Sequence, residues 1–154
     1  MKNHHEYHVV IPEEAFLGIR FIQEEKPGNA LINRNLVEFE PKFVFSWHCS
    51  VLIECKNLDE RGFPLASEIA KLDQLANFLD KKIKSGKGGN PNALFLAKIT
   101  WNGTQELIWR VFDPELANNM LLDLIDQNNN AREFDFRIDE DENWELASWH
   151  LNAV

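Results

Sequence analysis

The sequence predicts an α+β domain, and three observations carry that prediction. Residues 43–55 alternate apolar and polar side chains, as a half-buried strand does. An Asn102-Gly103 pair separates two further apolar runs. Two other stretches, near 65–84 and 114–127, place apolar residues at helical spacing.

Each element follows in order. Residues 1–10 are polar and read as disordered. Residues 11–42 read as an N-terminal β extension, with a strand over 16–24, a turn at Lys26-Pro27-Gly28-Asn29 and a short strand near 30–33. In the 43–55 strand the odd-numbered residues, Phe43 to Cys55, are expected to face the core. Asp59, Gly62 and Pro64 turn the chain. A helix is expected over 65–84, with Leu65, Ile69, Leu72, Ala76, Leu79 and Ile83 as its apolar stripe. Lys81, Lys82 and Lys84 complement the dipole at its last turn. Strands over 93–101 and 104–112 are joined by Asn102-Gly103, the pair a type I′ hairpin turn favours because both central residues take positive φ. Asp113 as N-cap and Pro114 at the first helical position open a second helix. Asn128-Asn129-Asn130 ends it, and Phe134, Phe136 and Ile138 alternate with charges in a last strand. A closing helix over 142–151 is expected to turn Trp144 and Trp149 inward.

From residue 43 to residue 140 the order is strand, helix, strand, strand, helix, strand. That is the ferredoxin-like β-α-β-β-α-β arrangement, with both helices on one sheet face. The other face raises a problem, because the 93–112 hairpin is apolar on both sides. Leu94, Leu96, Ile108 and Phe112 point away from the helices, or else their odd-numbered neighbours do. The N-terminal strands, with Phe16, Ile19 and Phe21, are the expected cover. A partner, or a second copy making a homodimer through this face, is the alternative.

Composition narrows the function classes. The chain has 154 residues, enough for a single domain, and 44% of them are hydrophobic. The formal net charge of -9 argues against nucleic acid as partner, whose phosphates call for clustered Lys and Arg. Trp101 and Trp109 do not amount to a base-stacking surface with so little Lys and Arg between them. No apolar run approaches the ~20 residues of a membrane span. No secretory signal is seen at residues 1–8. Cys49 and Cys55 lie about 20 Å apart along one strand face at ~3.3 Å per residue, beyond disulfide reach. Two unbridged thiols suit the cytoplasm.

The residues quoted so far resemble the bacterial family catalogued as domain of unknown function 695. The resemblance lies in Asp59-Glu60-Arg61-Gly62-Phe63-Pro64 ahead of an amphipathic helix, in the hairpin from Leu96 to Glu106, and in the acidic run from Asp139 to Glu145. It implies a compact α+β domain with no assigned activity and no catalytic residue to carry over. Trp109 departs from the smaller aromatic expected there. A weaker likeness, of fold alone, is to the B-type protein regulators of ribonuclease E, which are acidic ferredoxin-like binders.

Candidate chemistry is sparse. His4, His5 and His8 cluster at a polar end without Cys, so no metal site is assigned. Asp139, Asp141 and Asn143 have EF-hand spacing, but Trp144 and His150 stand where Gly and Glu are needed. Gly86-Lys87-Gly88-Gly89 follows a helix and precedes a strand, the reverse of a P-loop. His48 and Cys49 point to opposite strand faces and form no dyad. Ser46, His48 and Ser50 share a face but lack an orienting carboxylate nearby. No cofactor is called for. The favoured reading is a non-enzymatic binding or regulatory domain that meets a basic protein partner. Its binding residues are Asp139, Glu140, Asp141 and Glu142 with Glu145, and Trp109, His48 and Arg110. A small enzyme with a site around His48, Glu106 and Arg110 is one alternative, and a self-associating structural domain is another.

Overall fold

A computed structural model of the chain describes residues 7–154. The reading of His4 and His5 falls outside them. The described chain is α+β: a six-stranded antiparallel sheet with helices. The strands are β1 (Phe16–Gln23), β2 (Lys26–Asn33), β3 (Trp47–Glu54), β4 (Ala93–Trp101), β5 (Thr104–Val111) and β6 (Phe134–Glu140), in the spatial order β1-β2-β4-β5-β3-β6. The helices are α1 (Ala66–Ile83), α2 (Pro114–Gln127) and the short α3 (Ser148–Asn152).

Helices α1 and α2 cover one face. Leu72, Leu79 and Ile83 of α1 and Leu121 of α2 pack on Val51, Leu107 and Trp109. Asp113 caps α2 by accepting the Glu115 and Leu116 N–H groups, and Asn128 closes it in the left-handed region at φ 50°. The apolar stripe of α1 is rotated from the expected one: Leu65 and Ile69 are exposed, while Glu68 is buried. Burying Glu68 is tolerable because Arg132 grips both its carboxylate oxygens and the Lys56 N–H donates to Oε2. These hydrogen bonds hold its carboxyl down at about 2, the Arg132 contact being the largest cause.

The second face is covered, but not by the N-terminal strands. Strand β2 pairs with β4 over Gly28–Ile32, so β1 and β2 lengthen the sheet instead of lying across it. The cover comes from short 3-10 turns at Arg34–Leu36, Lys42–Phe45 and Glu145–Ala147, and from Tyr7 and Trp144. Tyr7, in the stretch expected to be disordered, is buried and donates to the Pro91 carbonyl at 2.6 Å. Residues 43–45, expected to begin the third strand, form one of these turns, with Phe45 in the second core and Phe43 exposed. Trp144 points inward as expected, whereas Trp149 is half exposed, with its ring edge against Phe21.

Both hairpins turn on two residues. Asn102 and Gly103 take φ 47° and 78°. The first turn is Glu24-Glu25, at φ 51° and 65°, rather than Lys26–Asn29. Pro27 and Gly28 are strand devices here. Pro27 lies beyond the β4 ladder, which begins at Gly28, so its missing N–H breaks no bond to β4. Gly28 lies beneath the Phe21 ring of β1, where an added Cβ would come within 2.3 Å. The Trp101 indole N–H, shared between the Gln23 and Lys26 carbonyls, ties this hairpin to β4.

One irregularity decides which residues meet. The β4–β5 register shifts between Phe95 and Ala97, which inserts an extra residue. The Phe95 carbonyl at this bulge accepts from Asn33 Nδ2 at 3.0 Å. Phe95 faces the helices, but Leu96, Ala97 and Ile99 belong to the second core. Beyond the bulge, Lys98 and Thr100 are therefore turned to the helix side.

Candidate functional site

Extending the sheet past the helices leaves a shelf. Helix α1 covers β4 and its inner neighbours, while β1 and β2 project beyond it. The result is an open groove of about 1110 Å³, floored by β1, β2, β4 and β5. Its wall is α1, with Ile69 and Asp73 one turn apart, and the loop from Asp59 to Pro64. That loop is held by its own geometry. Asp59 Oδ1 accepts the N–H groups of Arg61 and Phe63 at 2.8 and 3.1 Å, which keeps its carboxyl below the usual range, the Phe63 bond first. Gly62, at φ 85°, offers its carbonyl to the Gly103 N–H at 3.0 Å and so docks the loop on the β4–β5 turn. Arg61 lies over the Phe63 ring at 4.9 Å.

The floor carries a line of polar side chains. Gln105 stands opposite Thr100, Thr100 opposite Asn29, and Asn29 opposite Arg20. The four residues thus form one row across β5, β4, β2 and β1, and all four line the groove. Burial falls along it, from Gln105 at 4% exposure, through half-buried Thr100, to exposed Asn29 and Arg20. Gln105 Oε1 is buried without a hydrogen-bond partner among the described residues. Native interiors seldom leave such an acceptor unpaired. Arg20 makes no ion pair among the described residues, and Lys98 in the neighbouring row approaches Asp73 only to 3.8 Å. The ionisable residues lining the groove are Arg20, Arg61, Lys98, Asp59 and Asp73, an excess of cations in a chain of net charge -9.

The residues singled out from the sequence are placed differently. Trp109 is fully buried under the helices, with its indole N–H donating to Asp80 Oδ1 at 2.8 Å, and it reaches no surface. His48, Glu106 and Arg110 do share the second face, but each is engaged inside the fold. Arg110, wholly buried, donates to Asp141 Oδ2 at 2.8 Å and to the carbonyls of Asp141 and Phe45. Its Nη1 lies 3.0 Å from His48 Nδ1, and its guanidinium sits 4.6 Å from the Trp144 ring centre. Since arginine can only donate, His48 Nδ1 accepts there, and the imidazole is neutral. Burial, with Arg110 and His150 close by, pushes its pKa down to about 4. Glu106 accepts from the Ser50 hydroxyl.

The acidic run is divided. Asp141 is buried and also accepts the Glu145 and Leu146 N–H groups, so it caps the C-terminal turn. Asp139 pairs with Arg137, and Glu140, Glu142 and Glu145 remain exposed. This network fastens the C-terminal segment to the sheet. Cys49 and Cys55 are free thiols whose pKa values burial raises to about 12 and 11. Among the described residues no group of three or more His, Cys, Asp or Glu side chains is placed to hold a metal ion, and no helix is long and apolar enough to cross a membrane.

The loop and hairpin that build the groove are those on which the family resemblance rested. Residues 22–148 match the Family of unknown function DUF695. The chain belongs to this family. No curated protein and no solved structure matches it. Membership in DUF695 assigns no activity, so the groove has to be judged by its own chemistry.

Sequence reading missed the groove for two reasons. It expected the N-terminal strands to lie across the second face rather than to pair at the edge of the sheet, and it did not foresee the bulge that turns Lys98 and Thr100 to the helix side. The available signal was the β2 sequence itself. Lys26 to Asn33 places Pro27, Asn29 and Leu31 on one side and Gly28, Ala30 and Ile32 on the other, a two-faced pattern that fits an inner strand.

Proposed function

We propose that the chain is a non-enzymatic binding domain whose ligand site is the groove over β1 and β2. The observation that carries this reading is the polar row ending in buried, unpartnered Gln105 Oε1. A buried acceptor without a partner destabilises a fold by about 1–3 kcal/mol, and a ligand toward which the Gln105 carboxamide turns removes that cost. The groove supplies hydrogen-bonding groups, cations and the apolar surfaces of Ile22, Leu31 and Ile69, a combination suited to recognition. Among the described residues it brings together neither a histidine nor a cysteine. Free thiols support placing this activity in the cytoplasm. A fragment screen followed by 15N NMR tests the site: shifts should gather on Asn29, Lys98, Thr100 and Gln105. Shifts gathering around His48 or the acidic run instead would sink it.

A second reading keeps a basic protein as partner, meeting exposed Glu140, Glu142 and Glu145. It predicts association that weakens steeply with salt. A captured partner that stays bound at high ionic strength would count against it.

A further inference from the structure

The row across the groove has a length and a chemistry that narrow its ligand, and this step rests on the binding reading above. Four strands ~4.8 Å apart put about 14 Å between the Cα atoms of Gln105 and Arg20. An extended chain covers that distance with about four residues at ~3.4 Å each. The groove, at about 1110 Å³ and open along its length, is larger than the ~300–1,000 Å³ usual for small-molecule pockets.

The groups on the row suit a polypeptide backbone. Asn29 and Gln105 each carry a carboxamide, which presents a donor and an acceptor side by side, as a peptide unit does in complement. Thr100 between them both donates and accepts. None of these three side chains makes a hydrogen bond to another described residue, so their capacity is not spent within the fold. Leu31 and Ile69 offer apolar contact beside the row. At its open end Arg20 has no carboxylate partner among the described residues, and Lys98 is held only loosely by Asp73. A nucleic acid strand fits less well, because its bases need free aromatic faces and the Phe63 ring is already covered by Arg61.

We infer that the groove binds a short extended peptide segment bearing a carboxylate, with its backbone along Gln105, Thr100 and Asn29 and its carboxylate at Arg20. A chain-end carboxylate and an Asp or Glu side chain present the same anion. The overall negative charge of the protein does not forbid this, since charges beyond ~8 Å are screened at physiological salt.

Fluorescence polarisation with three labelled hexapeptide pools tests the inference on the full chain. One pool has free C-termini and no acidic residues, one is amidated with an internal Glu, and one is amidated and neutral. Carboxylate-bearing peptides should bind about tenfold more tightly than neutral ones, the scale of one charge-assisted hydrogen bond. Whichever acidic pool binds identifies the source of the anion. Arg20→Gln, at an exposed position, should remove that advantage and leave the melting curve unchanged. Equal binding of all three pools, or an Arg20→Gln protein that still prefers carboxylates, overturns the inference. If no pool binds while small fragments still shift the row in NMR spectra, the peptide ligand is wrong and the groove stands. If neither binds, both fall.

Discussion

Replacing Gln105 by methionine should make the protein more stable. Gln105 is 4% exposed, and its Oε1 has no partner among the described residues, so the fold carries the desolvation of an acceptor without a compensating bond. Methionine is unbranched and of similar volume, and packs without a polar atom to satisfy. Removing an unsatisfied buried acceptor is worth about 1–3 kcal/mol, and imperfect fit of the thioether returns part of it. A net gain of about 1–2 kcal/mol is expected, which raises Tm by about 3–6 °C in a chain of this size. Differential scanning calorimetry of the two proteins at pH 7.5 measures it, with urea melts to confirm an unchanged slope. Thr100→Val, on the same row but half-buried, should move Tm far less. The reasoning fails if Gln105→Met lowers Tm, because the amide would then be bonded within the fold and the row would be ordinary structure. Gain of stability together with loss of ligand binding is the signature of a residue kept for function.

Three other outcomes follow from the structure. Asp141→Ala leaves Arg110 buried without its counter-ion and removes the cap of the C-terminal turn, so it should cost about 3–5 kcal/mol in urea melts, and a loss under 1 kcal/mol would contradict the network described. Glu24→Asn with Glu25→Gly fits the positive φ values of the first hairpin turn and should stabilise by about 1 kcal/mol; a drop in Tm would mean that the two glutamates do something the backbone does not show. His48 has its pKa lowered from 6.5 to about 4, mainly by burial, with Arg110, His150, Asp141 and Asp139 around it. Its neutral form is therefore the one the fold prefers, so its contribution is complete above pH 6.5 and is lost as pH falls toward 4, about 2 kcal/mol of it by pH 5. Buried His150, also lowered, acts in the same direction, and a wild-type stability that is flat from pH 7 to 5 would contradict this.

Much of the fold was legible because its signals are local. Alternation in 47–54, the Asn102-Gly103 turn, the Asp113-Pro114 start of α2 and the helical spacing within α1 each report a nearest-neighbour preference of the chain. What was not legible depends on pairing between distant segments. Glu68 interrupts the apolar face of α1 because Arg132, far along the chain, reaches it. Pro27 and Gly28 look like a turn in isolation, and become strand residues only when β4 and Phe21 are in place. The bulge at Phe95–Ala97 leaves no mark in composition, yet it turns Lys98 and Thr100 into the groove. The second core was visible as a surplus of apolar residues, while most of its cover, made of 3-10 turns and Tyr7, was not. His48 and Arg110 were singled out as chemical groups from distant segments, and the structure sets them side by side on one face. The partner that absorbs Arg110, Asp141, was read as part of an acidic surface because burial cannot be seen in a run of four acids.

A crystal structure of the protein bound to the tightest hit from the fragment or peptide screens tests the central claim most directly. The ligand is expected on the β1–β2 shelf, with the Gln105 carboxamide turned toward it and a ligand donor about 3 Å from Oε1. A ligand seated elsewhere, with Gln105 Oε1 bonded inside the protein, would contradict it.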